Sequence, residues 1–283
     1  FCLSEIHGGL QSYAFISCYV SFVQHPSPIN EERLRVQTGQ QFRNALEFFP
    51  ACYENNGVDV LDRLFEFFWA DYSRTTPDAA RIHALLEARG ERIVNDHVAL
   101  RTYDLDPVRL ESLAEVFTRL GYEESGEYFF AEKKLRAKSY RFRGAGHPHV
   151  FISELLTREF SAGLQEVVAR LVAQVPAARR GAPELFTGLP SWAPVAYDNY
   201  RRLLEESEYA GWVSAFGIRV NHFTVLLNAL TTFASIQDLN AFLLEHGFRL
   251  NDSGGLVKGA PRELLEQPAT LAGRLEWGVA GGG

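Results

Sequence analysis

The chain has 283 residues, of which 46% are hydrophobic and 22% charged, as is ordinary for a globular protein. Its formal net charge of −7 argues against a nucleic-acid-binding protein, because such proteins usually carry a basic face. The apolar run 13–23 is too short to span a bilayer, so we expect no membrane partner. The 3 cysteines follow no CxxC spacing, which fits a reducing compartment and favours a cytoplasmic location.

The N-terminal residues 1–57 differ in character from the rest of the chain. They contain every cysteine and a Pro-Ser-Pro break at 26–28. We expect them to form a poorly matched extension that is either disordered or carries one helix near 31–49. The domain proper is expected over 58–283. The absence of methionine and the Gly281-Gly282-Gly283 ending predict a fragment whose domain is truncated at its C-terminus.

In the first half of the domain, the sequence pattern predicts two helices followed by one compact unit. Leu61, Leu64 and Phe68 have the spacing of an amphipathic helix. Thr76-Pro77-Asp78 predicts the start of a second helix, which Gly90 ends. The unit that follows has the order βαβββ. Its predicted elements are a strand over 93–103, a helix from Asp106-Pro107 to Gly121, and strands over 122–130, 135–142 and 150–155.

The second half predicts a helical insertion and then a second strand–helix unit. The insertion covers 161–212, and its last helix is expected over 197–213. The second unit begins with a strand at Ile218 and continues with a helix over 236–246. Short strands are expected at 248–250, 256–258 and 275–279, and this unit lacks at least its last strand. The elements together predict an α+β fold.

Each of the two units carries a histidine near the start of its first strand. His97 precedes Gly121 by 24 residues, and His222 precedes Gly247 by 25 residues. A duplicated unit with a matching polar residue can bring two metal ligands together across a pseudo-twofold axis. The spacing therefore makes a metal site the first functional hypothesis.

Alternation along the first of these strands places His97, Ala99 and Arg101 on one face. A guanidinium can bind a carboxylate through two hydrogen bonds, and the small Ala99 leaves room for a ligand. Two histidines plus one carboxylate, with open coordination positions, are typical of non-haem Fe(II) oxygenases. Glu154 and Glu276 are weak candidates for that carboxylate.

Other polar clusters favour structural interpretations. His147-Pro148-His149 is interpreted as a surface turn, and His83 as a structural residue of its helix. The glycine-rich segment 253–259, which ends at Lys258-Gly259, lacks the spacing of a phosphate loop and predicts a tight turn into a strand.

The residues around the two histidines resemble the 2-oxoadipate dioxygenase/decarboxylase family of the vicinal-oxygen-chelate superfamily. The resemblance covers about Leu61 to Leu275 and is carried by several segments. These are Asn95-Asp96-His97-Val98-Ala99-Leu100-Arg101-Thr102, Val150-Phe151-Ile152-Ser153-Glu154-Leu155, Glu206-Ser207-Glu208-Tyr209-Ala210, Asn221-His222-Phe223-Thr224-Val225 and Asn251-Asp252-Ser253-Gly254-Gly255-Leu256-Val257-Lys258-Gly259.

The resemblance implies paired βαβββ modules that form a curved mixed sheet around a metal site. It implies that His97 and His222 bind Fe(II) and that Arg101 binds the substrate carboxylate and acts in catalysis. The implied substrates are a 2-oxo dicarboxylic acid, 2-oxoadipate, and O₂, in lysine degradation. In the family the third metal ligand is a Glu in a Tyr-Glu-Phe-Ala-like context beyond the region of Glu276, so we expect it beyond residue 283.

Two alternatives stay open at this point. One is another metal-dependent enzyme of the same superfamily, an isomerase, lyase or hydrolase. The other is an inactive or ligand-binding fragment that lacks the third metal ligand. A glutamate on a further strand would favour the oxygenase, and an end of the reading frame at Gly283 would favour the inactive protein.

Overall fold

The computed structural model describes residues 13–18, 57–186, 191–249, 265–266 and 269–270. None of the helices in these ranges has the length and apolar character that a membrane crossing needs. The described residues divide into two compact units: 13–18, 69–98, 221–249, 265–266 and 269–270 form the first, and 57–68, 99–186 and 191–220 form the second.

The helices and strands together confirm an α+β fold. The helices are α1 (Gly57–Thr75), α2 (Pro77–Ala88), α3 (Leu110–Arg119), α4 (Ala162–Val172), α5 (Tyr197–Glu206), α6 (Glu208–Phe216) and α7 (Ile236–Glu245). The strands are β1 (Tyr13–Cys18), β2 (Asn95–Tyr103), β3 (Tyr122–Phe130), β4 (Leu135–Phe142), β5 (His149–Leu155), β6 (Val220–Leu226), β7 (Leu265–Glu266) and β8 (Ala269–Thr270).

In the first unit, a mixed sheet is built around β1 and β6. Strand β1 pairs antiparallel with β6 and parallel with β7 and β8, and the start of β2 lies beside β6. Strand β1 lies inside the segment 1–57, which the sequence set apart as an extension. The division of the chain at residue 57 stays a prediction.

Aromatic packing fills the core of the first unit. The ring of Phe223 lies 5.3 Å from that of Trp69 and 5.1 Å from that of Tyr72, measured between centroids. His83 stacks on Trp69 at 4.0 Å, and burial lowers the pKa of His83 to about 4. Its imidazole is therefore a neutral packing group at physiological pH, in agreement with the structural role expected for it.

In the second unit, β3, β4, β5 and the end of β2 form a sheet that carries the predicted βαβββ order. Strand β3 pairs with β4, β4 pairs with β5, and β5 lies beside β2. The three strands expected over 122–155 are confirmed almost to the residue. Helix α3 closes the unit through Phe117, whose ring lies 5.7 Å from that of Tyr122 and 5.6 Å from that of Phe186.

The predicted starts and lengths of two helices are wrong. Helix α3 begins at Leu110 and not at Pro107. Residues 105–108 instead form a turn in which Val108 donates to the carbonyl of Leu105. The carbonyl of Val108 accepts from Thr102 Oγ1 at 2.5 Å, so it is not part of a helical ladder.

The helix expected over 197–213 is two helices, α5 and α6. Ser207 interrupts it with extended dihedral angles, φ −156° and ψ 114°. Its hydroxyl accepts from the Ala210 amide at 3.2 Å and so caps α6. Helix α4 buries one apolar stripe, whose members are Leu164, Val167, Val168 and Leu171.

The second repeat is described only in part. Strand β6 and helix α7 have the predicted order, and Ser235 caps α7 by accepting from the Asp238 amide at 3.1 Å. Residues 248–249 are not in a strand, contrary to expectation. The strands expected at 256–258 and 275–279 lie outside the described residues.

Candidate metal centre

The two repeated histidines lie side by side in the first unit. Each is the third residue of its strand, His97 of β2 and His222 of β6. The centroids of the two imidazole rings are 5.3 Å apart, and the ring planes differ by 23°. Both residues are buried, with 4% and 2% of their surface exposed. The sequence repeat therefore predicted a real juxtaposition of two imidazoles.

Thr224 fixes the register of the two strands at this point. Its hydroxyl accepts from the backbone amide of His97 at 3.1 Å and donates to the carbonyl of the same residue at 2.9 Å. Further along, the amide of Leu226 donates to the carbonyl of Val94 at 2.8 Å. A slip of one residue would turn an imidazole to the other face of the sheet. These contacts therefore position the pair of rings.

Asp96 orients the imidazole of His97. Its Oδ2 lies 2.7 Å from Nδ1 of the ring. A carboxylate only accepts hydrogen bonds, so Nδ1 donates to Asp96, and in the neutral form of the ring the lone pair is on Nε2. A histidine that binds a metal commonly donates its other ring N–H to a carboxylate in this way. His97 is thus prepared to coordinate through Nε2.

The pair fits a shared divalent cation. An imidazole nitrogen binds such ions at about 2.1 Å, which puts the ring centre about 3.2 Å from the ion. Two rings that meet at an ion at roughly 90–110° then have centres about 4.5–5.2 Å apart, close to the observed 5.3 Å. Among the residues that the structure describes, no cluster supplies three or more His, Cys, Asp or Glu side chains. The described chain thus contributes two imidazoles.

Arg101 lies in the second unit, on the less buried face of β2. Its alternate neighbours Leu100 and Thr102 are fully buried, whereas Ala99 and Arg101 are half-buried, which confirms the predicted alternation. The guanidinium carbon lies 5.1 Å from the ring centroids of both Tyr209 and Trp212. Contacts of this kind use the faces of the guanidinium, while its N–H groups point along its plane.

Glu154, a weak candidate for the third ligand, has a structural role. It is buried, with 1% of its surface exposed, and its Oε2 accepts from the Leu110 amide at 2.9 Å. Its Oε1 lies 3.4 Å from Nε of Arg136, at ion-pair distance. Burial raises the pKa of the Glu154 carboxyl, and the Leu110 amide and Arg136 oppose that shift. Its position at the N-terminus of α3 accounts for a buried carboxylate without a metal.

Three further residues were considered from the sequence: His147, Lys258 and Glu276. His147 lies in a bend between β4 and β5, as the turn interpretation expects, but its side chain packs inward and is not at the surface. Its side chain is only 7% exposed, stacks on Phe65 at 5.9 Å and meets the edge of Phe142 at 4.8 Å. Lys258 and Glu276 lie outside the described residues, so the predictions made for them stay predictions.

Sequence reasoning missed Tyr209 and Trp212. Both belong to α6, 107 or more residues after Thr102 in the chain, where Tyr209 meets β2. The segment around Tyr209 was noted as part of the family resemblance, and that was the one signal that pointed to it. A contact between residues so far apart in sequence leaves no periodic pattern.

The fold and the buried imidazole pair indicate the class of protein. It is an α+β protein with two histidines suited to one divalent cation. A family model described as 2-oxoadipate dioxygenase/decarboxylase matches residues 63–281. The chain belongs to this family, and the resemblance stated from the sequence is confirmed.

A curated relative extends the match. The rice (Oryza sativa subsp. japonica) protein named 2-oxoadipate dioxygenase/decarboxylase, chloroplastic/amyloplastic, is 35% identical over 214 residues. The match covers 71% of this chain and 59% of the rice protein. The chain therefore spans about three fifths of the length of this relative.

Two solved structures are similar in both sequence and fold. A Shewanella frigidimarina NCIMB 400 protein with a provisional hydrolase description is 46% identical, with a TM-score of 0.68, over 71% of this chain and 79% of that chain. The hydroxyglutarate synthase of Oryza sativa, in complex with 2-oxoadipate, is 28% identical, with a TM-score of 0.67, over 88% of this chain and 78% of that chain.

A more distant structure shows the wider fold. A glyoxalase superfamily protein from Ralstonia eutropha JMP134 is 18% identical, with a TM-score of 0.61, over 84% of this chain and 78% of that chain. At this identity the likeness shows the fold alone. It agrees with the vicinal-oxygen-chelate fold expected from the sequence.

Proposed function

We propose that the protein carries out the Fe(II)-dependent oxidative decarboxylation of a 2-oxo dicarboxylic acid, namely the conversion of 2-oxoadipate and O₂ to 2-hydroxyglutarate and CO₂. The reaction balances without another reductant. The bond between the carboxylate carbon and the keto carbon breaks. The carboxylate next to the keto group leaves as CO₂ with its own two oxygen atoms. Both atoms of O₂ enter 2-hydroxyglutarate, one in the carboxylate formed at the former keto carbon and one in the hydroxyl of the neighbouring carbon.

The observation that carries the proposal is the coincidence of the family match with the imidazole pair. The match covers 63–281 and so contains both His97 and His222, whose rings lie 5.3 Å apart. The bound 2-oxoadipate of the rice hydroxyglutarate synthase supports the choice of substrate.

The residues of the chain would hold the metal and orient the substrate. His97 and His222 would bind Fe(II) through their Nε2 atoms, with the His97 ring held by Asp96. The iron, when bound, supplies the redox chemistry with O₂. The proposed third ligand is a glutamate of the second βαβββ module, beyond the region of Glu276. We also propose that two βαβββ modules pair around this metal centre.

Arg101 is proposed to bind a carboxylate of the substrate. Its guanidinium presents several N–H donors in one plane, which matches the two oxygens of a carboxylate. Fixing a carboxylate holds the 2-oxo group in one orientation and so determines which carbon–carbon bond is positioned to break.

We also propose a cytoplasmic location for the protein. The rice relative carries a chloroplastic/amyloplastic name.

A hydrolase is the second candidate function, because the 46% identical Shewanella frigidimarina protein has that provisional description. The two functions differ in their need for O₂. Protein purified without O₂ and loaded with Fe(II) is given 2-oxoadipate, and O₂ is then admitted while O₂ uptake, CO₂ and 2-hydroxyglutarate are measured. Equal amounts of all three support the oxygenase. Their absence, together with turnover of ester or amide substrates under nitrogen, would support the hydrolase.

A further inference from the structure

Two aromatic residues of α6 hold the guanidinium of Arg101. The rings of Tyr209 and Trp212 each lie 5.1 Å from its central carbon. They are three residues apart, so they project from the same side of the helix. Tyr209 is 6% exposed and Trp212 1% exposed, and Trp212 stacks on Phe216 at 5.1 Å. The guanidinium therefore packs on rings that cannot easily move away.

The hydroxyl of Tyr209 ties its ring to two strands. It accepts from the Thr102 amide at 3.0 Å, donates to the Ser153 carbonyl at 2.6 Å and lies 3.0 Å from Ser153 Oγ. Burial raises the pKa of Tyr209, so the hydroxyl keeps its proton and remains a donor. The ring is thus fixed relative to the residue that follows Arg101 on β2.

Packing of this kind affects what the arginine can bind. Contact with aromatic rings stabilises the cation by cation–π attraction and limits the rotamers of a long side chain. The guanidinium carbon lies over both rings at 5.1 Å, and a carboxylate binds a guanidinium along its N–H edges. A carboxylate that meets a guanidinium already held in place loses less conformational entropy on binding.

We propose that Tyr209 and Trp212 are positioning residues that hold Arg101 for the second carboxylate of the substrate. Through this packing the protein selects 2-oxo acids with two carboxylates over 2-oxo monocarboxylates of the same chain length. The inference rests on the proposed function, because that function makes Arg101 the carboxylate-binding residue.

The test measures binding without turnover. Fe(II)-loaded protein is titrated under nitrogen with 2-oxoadipate and with 2-oxohexanoate, which lacks the second carboxylate, and both dissociation constants are measured by calorimetry. We expect the wild type to prefer 2-oxoadipate. Tyr209→Leu and Trp212→Leu should each weaken 2-oxoadipate binding about tenfold, the range that a cation–π contact supplies, with little change for 2-oxohexanoate.

Conservative variants keep the test informative if the leucine variants fold poorly. Tyr209→Phe and Trp212→Phe retain a ring over the guanidinium, so the preference should stay within about threefold of the wild type. Tyr103→Phe is the matched control. Tyr103 is fully buried and its hydroxyl donates to the Ala210 carbonyl of the same helix at 2.7 Å. Circular dichroism reports folding for each variant.

Three results would overturn the inference: a wild type that binds both acids equally, folded leucine variants that keep the preference, or an equal loss in Tyr103→Phe. The inference is supported if the leucine variants lose the preference for 2-oxoadipate and Tyr103→Phe keeps it. The proposed function has a separate readout, because a wild type that binds 2-oxoadipate selectively but consumes no O₂ contradicts the oxygenase and leaves the role of the aromatic pair standing.

Discussion

The imidazole pair and the Arg101 cluster are positioned by different kinds of contact. His97 and His222 are aligned by neighbouring strands, and the alignment depends on the hydrogen bonds of Thr224 to the His97 backbone. Arg101 is held by side chains of α6, far away in the chain. Backbone register positions the proposed metal ligands, whereas side-chain packing positions the proposed substrate ligand. The two regions should therefore respond differently to substitution.

Removal of either imidazole should have the largest effect. His97→Ala or His222→Ala leaves one imidazole, so the iron content of anaerobically loaded protein should fall from about one equivalent to almost none. His246→Ala is the control, because His246 is exposed at the end of α7 and its ring nitrogen Nδ1 lies 2.8 Å from the Phe242 carbonyl of that helix. Elemental analysis of desalted protein gives the iron content, and an unchanged content in both variants would remove the ligand assignment.

Loss of the Thr224 hydroxyl should disturb the metal site through the backbone. Thr224→Val leaves a buried amide and carbonyl of His97 without this partner, which costs about 1–3 kcal/mol of unfolding free energy. Weaker metal binding should accompany that loss, because the register of β2 and β6 is loosened. Urea unfolding and a Co²⁺ titration measure the two effects.

Thr118→Val serves as the control for that substitution, since the Thr118 hydroxyl bonds to Glu115 on an exposed helix face. If Thr224→Val lost no more stability than Thr118→Val and kept full metal affinity, the register would not depend on this hydroxyl.

The contact between Asp96 and His97 should have a moderate effect on metal affinity alone. Asp96→Asn keeps an acceptor for the Nδ1 proton but removes the negative charge. Changing the group that accepts the hydrogen bond of a metal-binding histidine typically weakens metal binding about 10–100-fold. The Co²⁺ titration should show the weakening while the thermal unfolding midpoint without metal stays nearly constant. Equal metal affinity in the variant would show that the charge of Asp96 contributes nothing.

Substitution of Glu154 should have the smallest effect of the four. It should change the pH dependence of stability and leave metal binding unchanged. The pKa of Glu154 is raised in the folded protein by burial, so the folded state binds the proton more tightly than the unfolded state. The contribution of Glu154 to stability therefore falls as the pH rises from the unfolded-state pKa through the folded-state pKa. Glu154→Gln should flatten this dependence in urea unfolding measured from acid to neutral pH and leave the iron content unchanged; loss of iron would revive Glu154 as a ligand.

The same contrast explains what the sequence could and could not predict. The histidines were found because a repeat of strand and helix places equivalent residues at equivalent positions. The strands over 122–155 were found because alternation and turn residues are local signals. The interruption at Ser207 was missed because the helical pattern continues across it. The partners of Arg101 were missed because packing of α6 against β2 has no local signal.

His97 and His222 are proposed to share one cation through their Nε2 atoms. This proposal can be tested by recording long-range ¹H–¹⁵N correlation spectra of protein labelled in its histidine rings while Zn²⁺ is added without O₂. The Nε2 signals of His97 and His222 should shift together, the shifts should be complete at one equivalent of Zn²⁺, and Nδ1 of His97 should keep its proton. Shifts of only one of the two rings, or of another histidine first, would contradict the proposal.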